Sequence, residues 1–354
     1  MLLLIISFCL ILQVFYWNIL FSKLWKFEDR IVGNEKSAPI SILVCAKNEM
    51  ENLKELIPIL KSQTVSEKEI LILDDNSSDG SSEFVLSNFP NINIVSNPEK
   101  INGKKQTLYN GIEKANNQFI LLTDADCQPP ATWAQTMISA LDQKEIVLGY
   151  SPYSKSQGFL NLWIRYEGAL TAFQYFSAAI GGFPYMGVGR NLLYNKRLIL
   201  DSKFKKHIDL ASGDDDLTIS QIANEQNTSI CLDPKSWVYS DPPRSWLHYY
   251  KQKSRHYSTS HRYEPKIIVF LMLFSLSWIG FYLALFLLAL GGNVLWVLIF
   301  WWLRYGLSIY PITKLCNKFG IPDAIKYWPL LDFVSVLYFI TFAVSTLPNK
   351  KQKW

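Results

Sequence analysis

Several common signatures are missing from this chain of 354 residues. Its five cysteines, Cys9, Cys45, Cys127, Cys231 and Cys316, lie far apart, and no Cys-x-x-Cys pair occurs. That argues against a disulfide framework and against a zinc site, and fits thiols held on the reducing side of a membrane. The net charge is only +5 and is dispersed. This is too little to argue for a nucleic acid polymer as partner, and it suits a domain lying against an anionic membrane surface. No Gly-x-Gly-x-x-Gly turn follows the first predicted strand, and no Gly-x-x-x-x-Gly-Lys-Ser/Thr loop is present. A nicotinamide-dependent enzyme and a P-loop enzyme both lose their basis. Nor do two repeated halves, common in transporter folds, appear.

What the chain has is apolar bulk. Hydrophobic residues make up 49%, aromatics 14%, and there are 12 Trp. Met1 to about Phe21 is long enough to span a bilayer, and it lacks the basic start and small-residue cleavage site of a secretory signal. Residues 1–22 are therefore expected to be a retained anchor. Lys23, Lys26 and Arg30 follow it and argue that the next segment is cytoplasmic. Further apolar runs at 267–290, 293–312 and 328–347 predict about three C-terminal spans within 267–347. Lys314, Lys318 and Lys326 mark the linker before the last run as inside. That count puts Lys350, Lys351 and Lys353 outside, against the positive-inside rule, unless the last segment is re-entrant. Arg304 lies within one span and Asp332 near the start of the next. Their cost in lipid predicts mutual pairing, a lipid phosphate on Arg304, or snorkelling to the headgroups.

Between the apolar ends, residues 38–263 change character. Short apolar runs at 40–45, 69–73, 92–95 and 119–123 alternate with helix-like stretches at 51–62, 81–88 and 105–115. This alternation predicts an α/β domain with a parallel sheet covered on both faces. Ligands of such sheets bind beyond the C-terminal strand ends. Polar residues gather at those ends: Ala46-Lys47-Asn48-Glu49, Asp74-Asp75-Asn76-Ser77-Ser78-Asp79-Gly80, and Asp124-Ala125-Asp126. Each loop alone reads as turn and cap chemistry. Three at successive strand ends concentrate carboxylates that repel unless a cation or ligand offsets them. Asp124 and Asp126, one residue apart on an extended segment, point the same way and suit Mg²⁺ or Mn²⁺ bridging to phosphate. Lys104 and Lys105 open a predicted helix, where lysines and the helix N-terminus favour phosphate.

Taken in order, Ala46–Glu49, Leu73–Gly80, Gly103–Lys105, Thr123–Asp126, Gly213–Leu217 and Gln252–His256 closely resemble the family 2 glycosyltransferases of GT-A fold. The resemblance spans roughly residues 38–262. It implies a membrane-anchored, inverting enzyme that takes a sugar from a nucleotide-diphosphate sugar, UDP-sugars being the family's commonest donors. The acceptor it implies is a lipid or lipid-linked glycan, in cell-envelope glycan or glycolipid synthesis. Asp74 or Asp75 would bind nucleobase and ribose, beside Asn48 and Glu49. Asp124 would also face the nucleotide, and Asp126, with Asp124, would ligate the metal. Lys104 would face the diphosphate. The general base would be Asp215, aligning from Gly213, or Asp214, aligning back from Leu217. The alternative is a helix-cap acid run. Gln252-x-x-Arg255-His256 resembles the family's Gln-x-x-Arg-Trp signature with His in place of the Trp associated with polymer synthases, which puts processive polymerisation in doubt. Gln252 and Arg255 would contact diphosphate or acceptor, and a basic interfacial helix is the competing role. Gly189, Asn191 and His256 would lie on the acceptor side. A catalytically silent nucleotide-sugar-binding scaffold remains the alternative function.

Overall fold

The computed structural model describes residues 1–29, 38–97, 103–201, 216–258 and 260–343. They divide between two compact units. One comprises the described residues of Glu28–Ser154 and Gly182–Pro242, and the other those of Met1–Phe27, Lys155–Gly181 and from Pro243 on.

The first unit is α/β. Its strands are β1 (Ile40–Ala46), β2 (Lys68–Asp74), β3 (Asn93–Ser96), β4 (Phe119–Asp124), β5 (Cys127–Gln128), β6 (Ile146–Gly149), β7 (Leu192–Asn195), β8 (Thr228–Cys231) and β9 (Tyr239–Ser240). Seven form one sheet in the order β3-β2-β1-β4-β7-β6-β8, and β5 pairs with β9 in a separate ribbon. The sheet is mixed rather than wholly parallel, because β7 runs antiparallel to both β4 and β6. Four residues, Leu-Leu-Tyr-Asn, are too few for a period to disclose that strand in the sequence.

The strands are near-continuous apolar runs because both faces are covered. In the helix Met50–Lys61, Leu53, Leu56, Ile57 and Leu60 fall on one stripe and are buried. Glu51 in its first turn and Lys61 in its last complement the helix dipole. The helix Lys104–Lys114 covers the other face through Leu108 and Ile112. It packs close: a Cβ on Gly111 would lie 2.4 Å from Leu73 Cδ2. From β1 the chain goes to β2 and β3 on one side and later to β4 on the other. The order therefore reverses between β1 and β4, where such sheets open a ligand crevice.

The second unit is helical. Leu2–Lys26, Pro265–Leu290 and Val294–Lys318 have 25, 26 and 25 residues and are long and apolar enough to cross a membrane. A turn of π-helix, Phe15–Leu20, interrupts the first. The third runs six residues beyond the predicted 293–312 and takes in Lys314 and Lys318. The last apolar helix is shorter, Trp328–Ala343, and the rest of the predicted 328–347 lies outside the described residues. The helices Phe159–Ile180 and Trp246–Tyr257, within the predicted 38–263 segment, belong to this helical unit.

Arg304 and Asp332 form an ion pair inside the helical unit, with side chains 4% and 1% exposed. Arg304 Nη2 donates to Asp332 Oδ1 at 2.7 Å, and Nε donates to Gln13 Oε1 at 2.6 Å. Tyr282 Oη donates to Asp332 at 2.5 Å, and Gln13 Nε2 donates to the Ser277 carbonyl at 2.9 Å. The guanidinium is thus buried and paired within the bundle rather than extended to a lipid headgroup. Mutual pairing is the outcome, and it joins four helices.

Candidate active site

The α/β unit gathers its polar loops at the C-terminal ends of β1, β2 and β4. Asn48 adopts a left-handed conformation, φ 57°, which its short amide side chain tolerates. Its Oδ1 accepts from the Ser78 backbone N–H at 2.8 Å, and its own N–H donates to Ser77 Oγ at 2.9 Å. Asn48 therefore ties the β1 loop to the β2 loop. Asp74, at the end of β2, is buried and accepts from the Ser77 N–H at 3.1 Å and from Ser82 Oγ at 2.9 Å. It braces the loop that carries Asp75. Asp75 is buried too, with Lys47 Nζ at 3.2 Å from one oxygen and Thr107 Oγ1 at 3.2 Å from the other. Of the two, Asp75 is braced across the crevice from β1 and from the helix 104–114.

Lys104 stands on the first turn of that helix and meets Asp124 Oδ1 at 2.8 Å. Both line a narrow cavity with Cys45 and Gly189. Asp126 is exposed at the rim, yet its carboxylate has protein on most sides. That desolvation is the chief cause raising its pKa above the ordinary aspartate value, and Asp124 adds to it, while Arg190 and Lys104 oppose it. Glu49 is also raised, first by burial and then by Asp126, Asp124 and Asp79, with Asn52 opposing. The rim is therefore a set of mutually repelling carboxylates partly compensated by two cations. Among the described residues, no group of three His, Cys, Asp or Glu could enclose a metal. Asp124 and Asp126 would supply two ligands and leave the remainder to phosphate oxygens and water, as suits Mg²⁺ or Mn²⁺.

Arg190 is a residue the sequence reading passed over. Its guanidinium lies 4.7 Å from the Tyr153 ring centroid, hydrogen-bonds Ser240 Oγ, and acts electrostatically on Asp124 and Asp126. The signal was its place between Gly189 and Asn191, both of which drew attention for their own types. Lys47, partner of Asp75, was likewise visible within Ala46–Glu49.

The Asn191 side chain is turned into the fold. It is fully buried, donates to the Tyr150 and Ser236 carbonyls at 2.8 and 2.7 Å, and accepts from Trp133 Nε1 at 2.8 Å. Both donors and an acceptor lone pair are engaged inside the fold, so the side chain braces the loop beneath Gly189 and Arg190. Asp214 and Asp215 lie outside the described residues, and the helix Asp216–Ile222 begins immediately after them.

Gln252, Arg255 and His256 stand on the helix Trp246–Tyr257 of the helical unit. Their spacing places them on neighbouring rows of the helix surface. His256 is exposed, Arg255 half-buried, and Gln252 Oε1 is buried with no hydrogen-bond partner. An unpaired buried oxygen of this kind invites a donor from a ligand or from water.

The fold, with its acidic crevice at the switch point of a mixed α/β sheet, defines a GT-A domain in a chain that also has three helices long and apolar enough to cross a membrane. Residues 41–202 match the family described as "Glycosyl transferase family 2", and the chain carries a domain of that family. A dolichol-phosphate mannosyltransferase of Mycosarcoma maydis is 34% identical over 120 residues, which cover 31% of this chain and 40% of that protein. A cholesterol galactosyltransferase of Borreliella burgdorferi is 27% identical over 113 residues, 30% of this chain and 31% of that protein. The chain thus spans well under two thirds of the length of these relatives. In fold it is similar over 99% of its length to the mannosyltransferase PcManGT of Pyrobaculum calidifontis, solved with GDP-Man and Mn²⁺, with all of that chain covered, a TM-score of 0.61 and 17% identity.

Proposed function

We propose that this chain transfers a sugar from a nucleotide-diphosphate sugar, with UDP-sugars favoured, to a membrane-associated lipid or lipid-linked glycan, inverting the anomeric carbon. The observation that carries this reading is the crevice pairing of Lys104 with Asp124, beside exposed Asp126 and Arg190. Cation and carboxylate there are held ready to exchange partners with a diphosphate and its metal. Glu49 and Asp126, both raised in pKa by burial first and then by neighbouring carboxylates, fit a divalent cation, because the cation removes the repulsion. Asp126 and Asp124 would hold it, and bound there it would supply charge neutralisation of the leaving diphosphate.

The chain's own residues do the rest. Asp75, fixed by Lys47 and Thr107, and Asn48 and Glu49 beside it, offer hydrogen-bonding groups to nucleobase and ribose. Lys104, released from Asp124, binds phosphate. Asp215, or Asp214 as its alternative, would take the acceptor hydroxyl proton, an effect typically worth about 10² to 10⁴ in rate. Arg255, with Gln252, would bind phosphate bidentately, and His256 and Gly189 would border the acceptor. The two relatives named above, one acting on dolichol phosphate and one on cholesterol by their names, support a lipid acceptor. Three helices able to cross a membrane support it too. Lys23 and Lys26 at the end of the first helix, and Arg30 beyond it, support a cytoplasmic site.

The test is nucleotide-dependent thermal stabilisation of the detergent-purified protein with UDP, GDP or NAD, with and without Mn²⁺. A ligand at about 100 times its Kd adds roughly 2.7 kcal/mol. We expect a Mn²⁺-dependent shift with UDP or GDP that Asp126→Ala abolishes. No shift with either diphosphate in folded protein would sink the reading, and a metal-dependent shift without sugar transfer would favour a silent binding scaffold.

A further inference from the structure

The helical unit holds a second buried ion pair, and the mechanism above makes no use of it. Lys253, on the helix Trp246–Tyr257, meets Glu167, on the helix Phe159–Ile180, at 2.5 Å, with side chains 10% and 3% exposed. Glu167 Oε1 also accepts from Tyr338 Oη at 2.9 Å, so the last apolar helix joins the cluster. Tyr249, one turn before Lys253, is buried beside it, with the ammonium 5.9 Å from its ring centroid. Three helices thus converge on one carboxylate.

The position of Lys253 in its helix gives the cluster a consequence. Successive residues are rotated by roughly 100°, so Lys253 points about 100° from Gln252 and about 160° from Arg255. A helix packed on a bundle is freest to roll about its own axis. A buried ion pair on one side fixes that roll, because turning either charge into an apolar wall is costly. It thereby fixes where the opposite side, with Arg255 and Gln252, is aimed. We infer that Lys253 and Glu167, with Tyr338, are positioning residues that set the rotation of the helix carrying Gln252 and Arg255 for phosphate or acceptor contact. The inference rests on the transferase reading for the role of Gln252 and Arg255. The clamp itself rests on the contacts just given.

The experiment uses full-length protein in lipid nanodiscs and two readouts. Hydrogen exchange of the 246–257 segment is compared between wild type and Lys253→Met, with the 104–114 segment as an internal control. Exchange in 246–257 is expected to quicken about tenfold or more, with 104–114 unchanged. Equal protection in both proteins would overturn the clamp. The double variant Glu167→Gln/Lys253→Met removes both charges together, so no lone charge is left to unfold the unit. It should show the same local loosening.

The second readout is a double-mutant cycle on turnover of UDP-glucose or GDP-mannose with polyprenyl-phosphate vesicles. Lys253→Met is expected to lower kcat by about ten- to a hundredfold, as misplacement of a contact group does. Arg255→Ala is expected to lower it as well, and Arg255→Ala/Lys253→Met no further. Multiplying losses would mean that Lys253 acts independently of Arg255 and would refute the positioning role. If wild type turns over neither donor while Lys253→Met still loosens 246–257, the transferase reading fails and the clamp stands.

Discussion

Asn191 is a residue whose side-chain partners all lie inside the fold. Its amide joins Trp133, the Tyr150 carbonyl and the Ser236 carbonyl, and a Cβ on Gly149 would lie 2.4 Å from its Cγ. Asn191→Ala strands one indole N–H and two carbonyls in a dry interior, at about 1–3 kcal/mol for each group left unsatisfied. We expect a marked fall in melting temperature, measured by differential scanning fluorimetry in detergent. The UDP or GDP shift of the surviving folded fraction should keep its metal dependence, since Asp124, Asp126 and Lys104 are untouched. An unaltered melting temperature with loss of transfer would instead restore Asn191 to the acceptor side. Asp124 and Asp126 stood out by their spacing alone, although only Asp124 ends β4 and Asp126 lies in the turn that follows. Arg190 and Lys47 were harder, since a lone cation in a loop has no pattern until the fold brings a carboxylate to it. For Asn191 the Gly-x-Asn spelling discloses nothing about which way the amide points, and the fold turns it inward.

Among elements, those bounded by turn residues were the most legible. The helix predicted at 81–88 is found at Ser81–Asn88, and the strand predicted at 119–123 is Phe119–Asp124. The four-residue β7 was not, because pairing rather than local pattern decides it, whereas the equally short β3 matches the run expected at 92–95. The short helix Asp323–Lys326 also had no signal beyond its charges, yet it carries a testable ion cluster. Asp323 accepts from Arg165 Nη1 and Nη2 at 2.8 and 2.9 Å, with Lys155 Nζ at 3.0 Å. The Arg165 hydrogen bonds are the main cause holding its pKa low, at about 2, against some desolvation and with help from Lys155. A depressed folded pKa means that the unfolded chain binds the proton first. The contribution is therefore fully present above the unfolded carboxylate value of 3.8 and is lost as pH falls from there through about 2. Urea unfolding of the helical unit, followed by tryptophan fluorescence between pH 5 and 2, should show this loss in wild type. Asp323→Asn should be less stable at pH 5 and flatter across that range. An identical slope in the two proteins would remove Asp323 from the acid response.

For the whole chain, the question left open by the lysines is whether the last apolar helix crosses the membrane. Contacts within the helical unit answer it by register. Leu2–Lys26 and Val294–Lys318 run parallel: Gln13 meets Arg304, Asn18 meets the Leu307 carbonyl, and Lys318 Nζ reaches the Phe27 carbonyl. Phe27 and Lys318 therefore share a side. Pro265–Leu290 runs the other way, with Tyr16 bonded to the Phe270 carbonyl and Gln13 to that of Ser277, so its start lies on that same side. Along this helix, Trp328–Ala343 climbs back toward the start: Asp332 meets Tyr282, Phe339 stacks on Trp278, and Phe342 stacks on Tyr257, which precedes the span. Lys318 and Phe342 then lie on one side, and nine residues, 319–327, return the chain to Trp328 beside Tyr305. A crossing helix would have to end at the level of Leu290 instead. The buried Arg304–Asp332 pair explains how so short a helix is held: its one acid is neutralised at depth. The prediction is that the last helix is re-entrant, which would put Lys350, Lys351 and Lys353 on the side the positive-inside rule demands. Single cysteines at Glu264, Asn293 and Ala343, in sealed vesicles of known orientation, would be challenged with a membrane-impermeant maleimide. Glu264→Cys and Ala343→Cys should label from one side and Asn293→Cys from the other. Labelling of Ala343→Cys together with Asn293→Cys would mean that the helix crosses, and the register argument would fall with it.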